Sequence, residues 1–273
     1  MWSVVKGTLI HHYEEEHTKH KPPLLPFESL LTTLYWLRIY PTIRCIAAEL
    51  DISVTCVREC LDHTLDSLFT ALVPAEFHHS PPLPRAYTTG TLAGICAVVD
   101  STFLVLPHTD KKEDGKKNYH YKSGTRQALK WQLCVSPTGV PWHISDVVNG
   151  AMADIKLLEK SELMEWTALE ALVLGDKGYV GAWHVVTPKK KPRGGELKED
   201  EKEANKEKNS ARAIVENSIH QFKRWAILGG EYRGKWREDD HLKRATKIVH
   251  VVGAMVKRFI VAHPLRAESA PEE

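Results

Sequence analysis

Residues 27–72 place hydrophobic side chains every three or four positions, which is the period of an amphipathic α-helix. Within this region, the pattern predicts a short helix over 42–50, a tight break over 51–53, and a second helix that begins at Val54 with Ser53 as its N-cap. Two short helices joined by such a turn are typical of a helix-turn-helix. The alternative is a plain helical bundle that is used for protein contacts.

The pattern changes after residues 81–90, which are rich in Pro, Thr and Gly and therefore predict a linker. Further along, apolar runs predict strands at 92–101, 128–136, 140–148, 171–176 and 183–188, with a hairpin turn at 137–139. Helical patterns cover 154–166, 210–225 and 240–261. Strands mixed with flanking helices predict an α/β domain.

Two domains are expected from this change of pattern. The first is a helical, helix-turn-helix-like domain at 1–85, and the second is an α/β domain at 86–273. The second domain contains a charged stretch near 188–208 that is nearly free of apolar residues, and we expect an exposed, mobile loop or a solvated helix there.

Composition narrows the class of protein. Of 273 residues, 42% are hydrophobic and 26% are charged, as in ordinary globular proteins. The sequence has no apolar run of about 18 residues and no signal-peptide core at its amino end, so we expect neither a membrane span nor a secreted protein. The five cysteines are scattered, which indicates reduced thiols inside the cell.

Charge is distributed unevenly along the chain. Residues 1–90 hold seven Lys/Arg against ten Asp/Glu, whereas residues 91–273 hold 30 against 25. The basic surplus forms clusters, namely Lys111, Lys112, Lys116, Lys117, Lys122 and Arg126, then Lys189, Lys190, Lys191 and Arg193. Such clusters favour a polyanionic partner but also occur on solvated faces. The acidic balance of the first part argues against strong DNA binding by the helix-turn-helix.

Two of the predicted strands end in an aspartate, Asp100 and Asp176. Functional sites in open α/β sheets lie at the carboxyl ends of strands, so we expect these two carboxylates at one edge of the sheet. Asp176 precedes the turn sequence Lys-Gly-Tyr, and the alternative is that it merely caps this turn.

The late helix supplies a third candidate acid. Arg212, Glu216 and Lys223 are spaced i, i+4 and i+11 and therefore project from one face. An ordinary surface ion pair is the alternative. If Asp100, Asp176 and Glu216 converge, their mutual repulsion requires compensation, which Mg²⁺ or Mn²⁺ would provide. Two such ions about 3.5–4 Å apart would support an in-line displacement at phosphorus.

These motifs resemble those of the DDE-superfamily endonuclease domain, and more narrowly those of PIF/Harbinger-type transposases and their bacterial relatives. The resemblance covers roughly residues 90–262, and it rests on D100-S-T, G-x-x-x-D154, G-D176-K-G-Y-V-G, and R212-A-I-V-E216 followed by Lys223. It implies a ribonuclease-H-like fold, preceded by the helix-turn-helix, and metal-dependent hydrolysis and strand transfer of double-stranded DNA.

The resemblance also implies a role for each matching residue. Asp100, Asp176 and Glu216 take the positions of the acidic triad, and Asp154 takes an additional acidic position that is associated with the metal. The alternative for Asp154 is an acid at a helix amino end. The basic positions that would contact phosphate are Lys122, Arg212 and Lys223.

One departure from the family pattern is Asn209, which stands where related bacterial transposases often have a tyrosine. Expected partners are a homo-oligomer and, as in the Harbinger type, a separate Myb-like DNA-binding protein. The expected compartment is the nucleus in a eukaryote and the cytoplasm in a bacterium. Two alternatives stay open: a domesticated derivative that binds DNA or protein without cutting, and a nuclease that acts on RNA or structured DNA.

Overall fold

The computed structural model describes residues 2–16, 24–77, 84–88, 90–108, 116–161, 163, 172–234 and 240–266. Several predictions fall wholly or partly on other residues and lie outside the described ranges: the linker at 81–90, the end of the helix predicted at 154–166, and the lysines at 111 and 112. Within the described ranges, no helix has both the length and the apolar character needed to span a membrane.

The first part of the chain is helical. Its helices are α1 (Trp2–Glu16), α2 (Pro26–Ile39), α3 (Ile43–Leu50) and α4 (Val54–Glu76). Thr42 caps α3, since its Oγ1 accepts a hydrogen bond of 3.2 Å from the main-chain N of Cys45. Ser53 caps α4 in the same way, with 3.1 Å between its Oγ and the N of Cys56. The predicted pair of helices with a three-residue turn is therefore confirmed.

The second part contains a mixed sheet. Its strands are β1 (Ile95–Val105), β2 (Ala128–Val135), β3 (Pro141–Ile144), β4 (Val148–Asn149), β5 (Leu172–Leu174) and β6 (Val185–Val186). The order is β3-β2-β1-β5-β6, and β4 also pairs with β2. β1, β2 and β3 are antiparallel neighbours, whereas β5 and β6 run parallel to β1. The hairpin between β2 and β3 turns at Gly139, whose φ of 89° favours glycine.

Helices flank this sheet, and they confirm the predicted α/β class. They are α5 (Asp154–Lys160), α6 (Glu199–Lys223), α7 (Ala226–Gly229) and α8 (His241–Ala262). Helix α6 begins at Glu199, well before the predicted start at 210, so residues 199–208 form the solvated helix rather than the mobile loop. Three acids in its first turn, Glu199, Asp200 and Glu201, favour this early start because they interact well with the helix dipole.

The helical part and the mixed part share one hydrophobic core. Leu61 and Leu65 of α4 belong to the same buried cluster as Ile248 and Val252 of α8. Ion pairs run along this contact, which we call the α4–α8 seam. They join Arg244 to Asp62, Lys247 to Asp66 (2.5 Å) and Arg258 to Glu76 (2.5 Å).

Strand β1 does not end at Asp100 as predicted. It continues to Val105 because β2 pairs with it over this length, with Asp100 opposite Leu133 and Val105 opposite Ala128. On the other side, the parallel ladder between β1 and β5 ends at the pair Val98 and Leu174. Asp100 therefore lies just past the end of β5, where the chain turns away toward Asp176.

Candidate active site

Asp100 is a largely buried carboxylate on the central strand, with 21% of its side chain exposed. Its Oδ1 accepts a hydrogen bond of 2.8 Å from the N of Ser101, and its Oδ2 lies 3.4 Å from Nη2 of Arg212. The pKa of Asp100 is raised from 3.8 to about 6, chiefly by burial and also by the nearby charges of Asp176 and Asp154, while Arg212 and the Ser101 N–H act in the opposite direction. Three acids from separate elements therefore share one electrostatic environment.

Asp176 and Asp154 meet over Gly178. The Oδ1 of Asp176 accepts a hydrogen bond of 2.6 Å from the N of Gly178 and caps the short 3-10 turn at Lys177–Tyr179. A Cβ atom at Gly178 would lie 2.8 Å from Oδ1 of Asp176 and 3.0 Å from Oδ2 of Asp154. The turn-capping alternative is thus correct, and the same turn brings two carboxylates together over a residue that has no side chain.

Arg212 links Glu216 to Asp100. The same Nη2 atom of Arg212 that contacts Asp100 lies 3.9 Å from Oε1 of Glu216. The Glu216 side chain is 61% exposed, whereas that of Arg212 is only 15% exposed. Helix α6 therefore places both residues beside β1, with the arginine between the two acids.

Lys130 of β2 is a site residue that the sequence analysis missed. Its Nζ donates hydrogen bonds to the carbonyl oxygen of Met152 (2.6 Å) and to Oδ1 of Asp154 (3.0 Å), and its side chain is only 10% exposed. Asp154 is the first residue of α5, so it has both the helix dipole and this amine beside it. A lysine inside the apolar run 128–136 was the signal that could have found it, because a charge buried in a strand needs a partner.

A buried tyrosine, Tyr179, is hydrogen-bonded to residues next to the acids. The hydroxyl of Tyr179 lies 3.0 Å from Oγ of Ser101 and accepts a hydrogen bond of 2.8 Å from Nε2 of Gln132. The same amide nitrogen also donates to the main-chain oxygen of Asp154 (3.3 Å). Tyr179 is fully buried, so this network fixes the turn after β5 against β1 and β2.

The predicted phosphate-binding residues are placed differently from one another. Lys122 is exposed, with its Nζ 5.7 Å from the ring centroid of Tyr121. The amine of Lys223 instead donates to the main-chain oxygens of Phe103 and Leu228, and burial lowers its pKa to about 8. Lys223 therefore connects α6 to β1 and α7, whereas Arg212 lies among the acids.

We call Asp100, Asp154, Asp176 and Glu216, together with Arg212 and Lys130, the acidic site. All four acids offer carboxylate oxygens, the donors that Mg²⁺ and Mn²⁺ prefer, and Gly178 leaves room between two of them. In the described part of the chain, no three His, Cys, Asp or Glu side chains are arranged to hold a metal ion together. Arg212 lies between Asp100 and Glu216, and Lys130 pairs with Asp154. The oxygen donors of the four carboxylates nevertheless fit such an ion in their chemistry.

Comparison with known protein families gives the class of protein. Residues 99–257 match the family described as DDE superfamily endonuclease, and because this match covers more than half of the 273 residues, the chain belongs to that family. Its sheet, flanked by helices, is consistent with the predicted ribonuclease-H-like fold.

A second comparison is with a related protein that is named as a transposase. Over 130 residues, the chain is 32% identical to the protein named "Probable transposase for insertion sequence element IS702" from Microchaete diplosiphon. The match covers 46% of this chain and 46% of the relative, so it spans less than half of either protein. The narrower PIF/Harbinger assignment stays a prediction.

Proposed function

We propose that the protein is a divalent-metal-dependent DNA endonuclease and transposase, which hydrolyses phosphodiester bonds at the ends of a mobile element and joins these ends to target DNA. The observation that carries this proposal is the acidic site, where four carboxylates from β1, α5, the turn after β5 and α6 face two cations. These acids also stand in the register that the family motifs predict.

Asp100, Asp176 and Glu216, with Asp154 beside them, would hold the metal. Bound Mg²⁺ or Mn²⁺ supplies Lewis-acid stabilisation and an activated oxygen nucleophile for displacement at phosphorus. The guanidinium of Arg212, which lies between Asp100 and Glu216, would donate to a phosphate oxygen of the bound strand. Tyr179 and Gln132 keep the turn that carries Asp176 in place through their hydrogen bonds.

Cleavage of a labelled duplex that carries an element end tests this proposal. We expect products with Mg²⁺ or Mn²⁺ from the wild type and none from Asp176→Ala. Glu203→Ala is a matched control, since it removes an exposed acid on α6 outside the acidic site, and it should cleave normally. Equal products from the wild type and Asp176→Ala would show that another site, or a contaminant, does the cutting.

A second candidate is a non-cutting derivative that binds DNA or protein. The position of Arg212 favours it, because the guanidinium occupies the space between Asp100 and Glu216 and offsets their charge. Calorimetric titration with Mn²⁺ separates the two. Micromolar or tighter uptake that is lost in Glu216→Ala supports the enzyme, whereas a wild type that takes up no Mn²⁺ supports the binding module.

A further inference from the structure

A cleft of about 640 Å³ opens where the helical part meets the segment after α7 and the start of α8. Its volume lies in the range of ordinary ligand sites. Aromatic side chains from α2 and from the segment after α7 form part of its wall, and four arginines line it: Arg44, Arg58, Arg233 and Arg244. Only Asp62 and Asp240 contribute negative charge among the described lining residues.

Two of these arginines are held in place. The guanidinium of Arg233 lies 4.2 Å from the ring centroid of Tyr40 and donates to the Tyr40 carbonyl, while the Arg233 main-chain N donates to the Tyr40 hydroxyl (2.8 Å). Arg244 lies 5.8 Å from the ring centroid of Trp36 and pairs with Asp62. A guanidinium that rests on an aromatic face keeps N–H groups at its edge, which suit the oxygens of a phosphate.

The other two arginines are Arg44 and Arg58, which like Arg233 are exposed. Arg44 lies in the first turn of α3 and Arg58 lies near the start of α4. Neither has a carboxylate partner within the described ranges, and Asp240, which also lines the cleft, is already paired with Lys243 (2.9 Å). The cleft therefore has an excess of positive charge that no described acid neutralises.

Part of the acidic balance of residues 1–90 is compensated within the fold. Three of the ten acids in that region, Asp62, Asp66 and Glu76, face cations of α8 in the α4–α8 seam. These three acids are thus paired with α8, while Arg44 and Arg58 are exposed. With these three acids compensated, the seven other acids of residues 1–90 equal the seven Lys/Arg in number.

We propose that this cleft binds phosphate groups of duplex DNA, with Arg44 and Arg58 contacting the backbone and with Arg233 and Arg244 forming the floor. The proposal rests on the proposed function, in which the protein acts on DNA. Because the cleft is built jointly by α3, α4 and the start of α8, DNA bound there contacts the helix-turn-helix and the catalytic part at once. The cleft is separate from the acidic site, with which it shares no residue.

The salt dependence of DNA binding tests the cleft directly. The full chain is titrated with fluorescent duplex DNA in EDTA over a salt series, and Arg44→Ala/Arg58→Ala is compared with Lys6→Ala/Arg224→Ala, which removes the same charge at exposed positions outside the cleft. We expect the slope of log Kd against log salt to fall by about two for the cleft variant, with affinity at least about tenfold weaker, and little change for the control. Equal slopes for both variants and the wild type would overturn the proposal, as would equal losses in both.

A second arm identifies the source of the phosphate. If inorganic phosphate or a nucleoside monophosphate raises the Tm of the wild type but not of the cleft variant, while the DNA slope is unchanged, the cleft binds a free phosphate ester and the DNA proposal is overturned. Asp176→Ala should keep the wild-type slope although it does not cleave. Conversely, a wild type that never cleaves but shows the arginine-dependent slope refutes the proposed catalysis and leaves the cleft intact.

Discussion

The α4–α8 seam and the acidic site both place carboxylates next to cations, but they differ in the number of cations available for each acid. In the seam, each of Asp62, Asp66 and Glu76 has a cation of its own. In the acidic site, Arg212 and Lys130 face four acids, and one acid, Asp100, is largely buried with a pKa raised to about 6.

We infer from this difference that the paired charges of the seam serve the fold, whereas the excess negative charge of the acidic site serves to bind a cation. A balanced pair at a half-exposed contact contributes modestly to stability and needs nothing more. An excess of negative charge in a partly buried site costs free energy in the folded state, and a bound cation would remove that cost. The protein therefore keeps an unfavourably buried carboxylate where we propose that chemistry occurs.

The strongest test of the comparison is Asp100→Asn, for which we expect activity and stability to change in opposite directions. Cleavage should fall by about 100-fold or more, since a metal-site carboxylate is lost. Stability should rise, because a carboxyl whose pKa is raised from 3.8 to about 6 is favourable below the lower value and becomes costly as pH rises through the upper one. In EDTA at about pH 8, the free energy of unfolding in urea should increase by about 1–3 kcal/mol, and near pH 4 the gain should vanish.

Asp66→Asn in the seam is the matched control for this variant. It should leave cleavage unchanged and should not stabilise the protein at either pH. An Asp100→Asn protein that is less stable than the wild type at both pH values would contradict the idea that this carboxylate is a cost to the fold.

Lys130→Met should produce the next largest effect. Without its amine, Asp154 loses a partly buried partner, and the free energy of unfolding should fall by about 1–3 kcal/mol. The acidic site then gains net negative charge, so calorimetry should show tighter Mn²⁺ binding than in the wild type. The double variant Lys130→Met/Asp154→Asn should recover most of the stability. Weaker Mn²⁺ binding in Lys130→Met would show instead that the amine positions Asp154 for the ion.

Gly178→Ala tests whether the space between two carboxylates matters. The added Cβ would approach Asp176 and Asp154 to within 3.0 Å, so at least one of them must move, at a cost of about 1–2 kcal/mol. The loss in the free energy of Mn²⁺ binding should be larger than this loss in the free energy of unfolding. Gly124→Ala, where nothing lies within 4 Å of the new atom, is the control and should match the wild type in both measurements.

The smallest effect belongs to the seam itself. A double-mutant cycle on Asp66→Ala and Lys247→Ala should give a coupling energy of less than about 1 kcal/mol, because the pair is 35–52% exposed. Cleavage and Mn²⁺ binding should be unchanged in all three variants. A coupling energy well above about 1 kcal/mol, or a loss of cleavage in any of these variants, would contradict the idea that the seam and the acidic site have different roles.

Much of the fold could be predicted from local sequence. The caps at Thr42 and Ser53 act on main-chain groups three residues away, so their neighbours suffice to identify them. The buried run before Asp176 and the turn after it are equally local. The end of β1 could not be predicted in this way, since the strand continues past Asp100 only because β2 pairs with it.

The sequence by itself determined the α/β class, the helix pair in the first part, and the acids that the family motifs mark. The tertiary structure decided which cation meets which acid: Arg212 with Asp100 across 112 residues, Lys130 with Asp154, and α8 with the acids of α4. It also decided that the amine of Lys223 is buried and that Arg44 and Arg58 face a cleft. The physical reason is that caps and periodicity depend on near neighbours, whereas charge compensation and burial depend on contacts that exist only after folding.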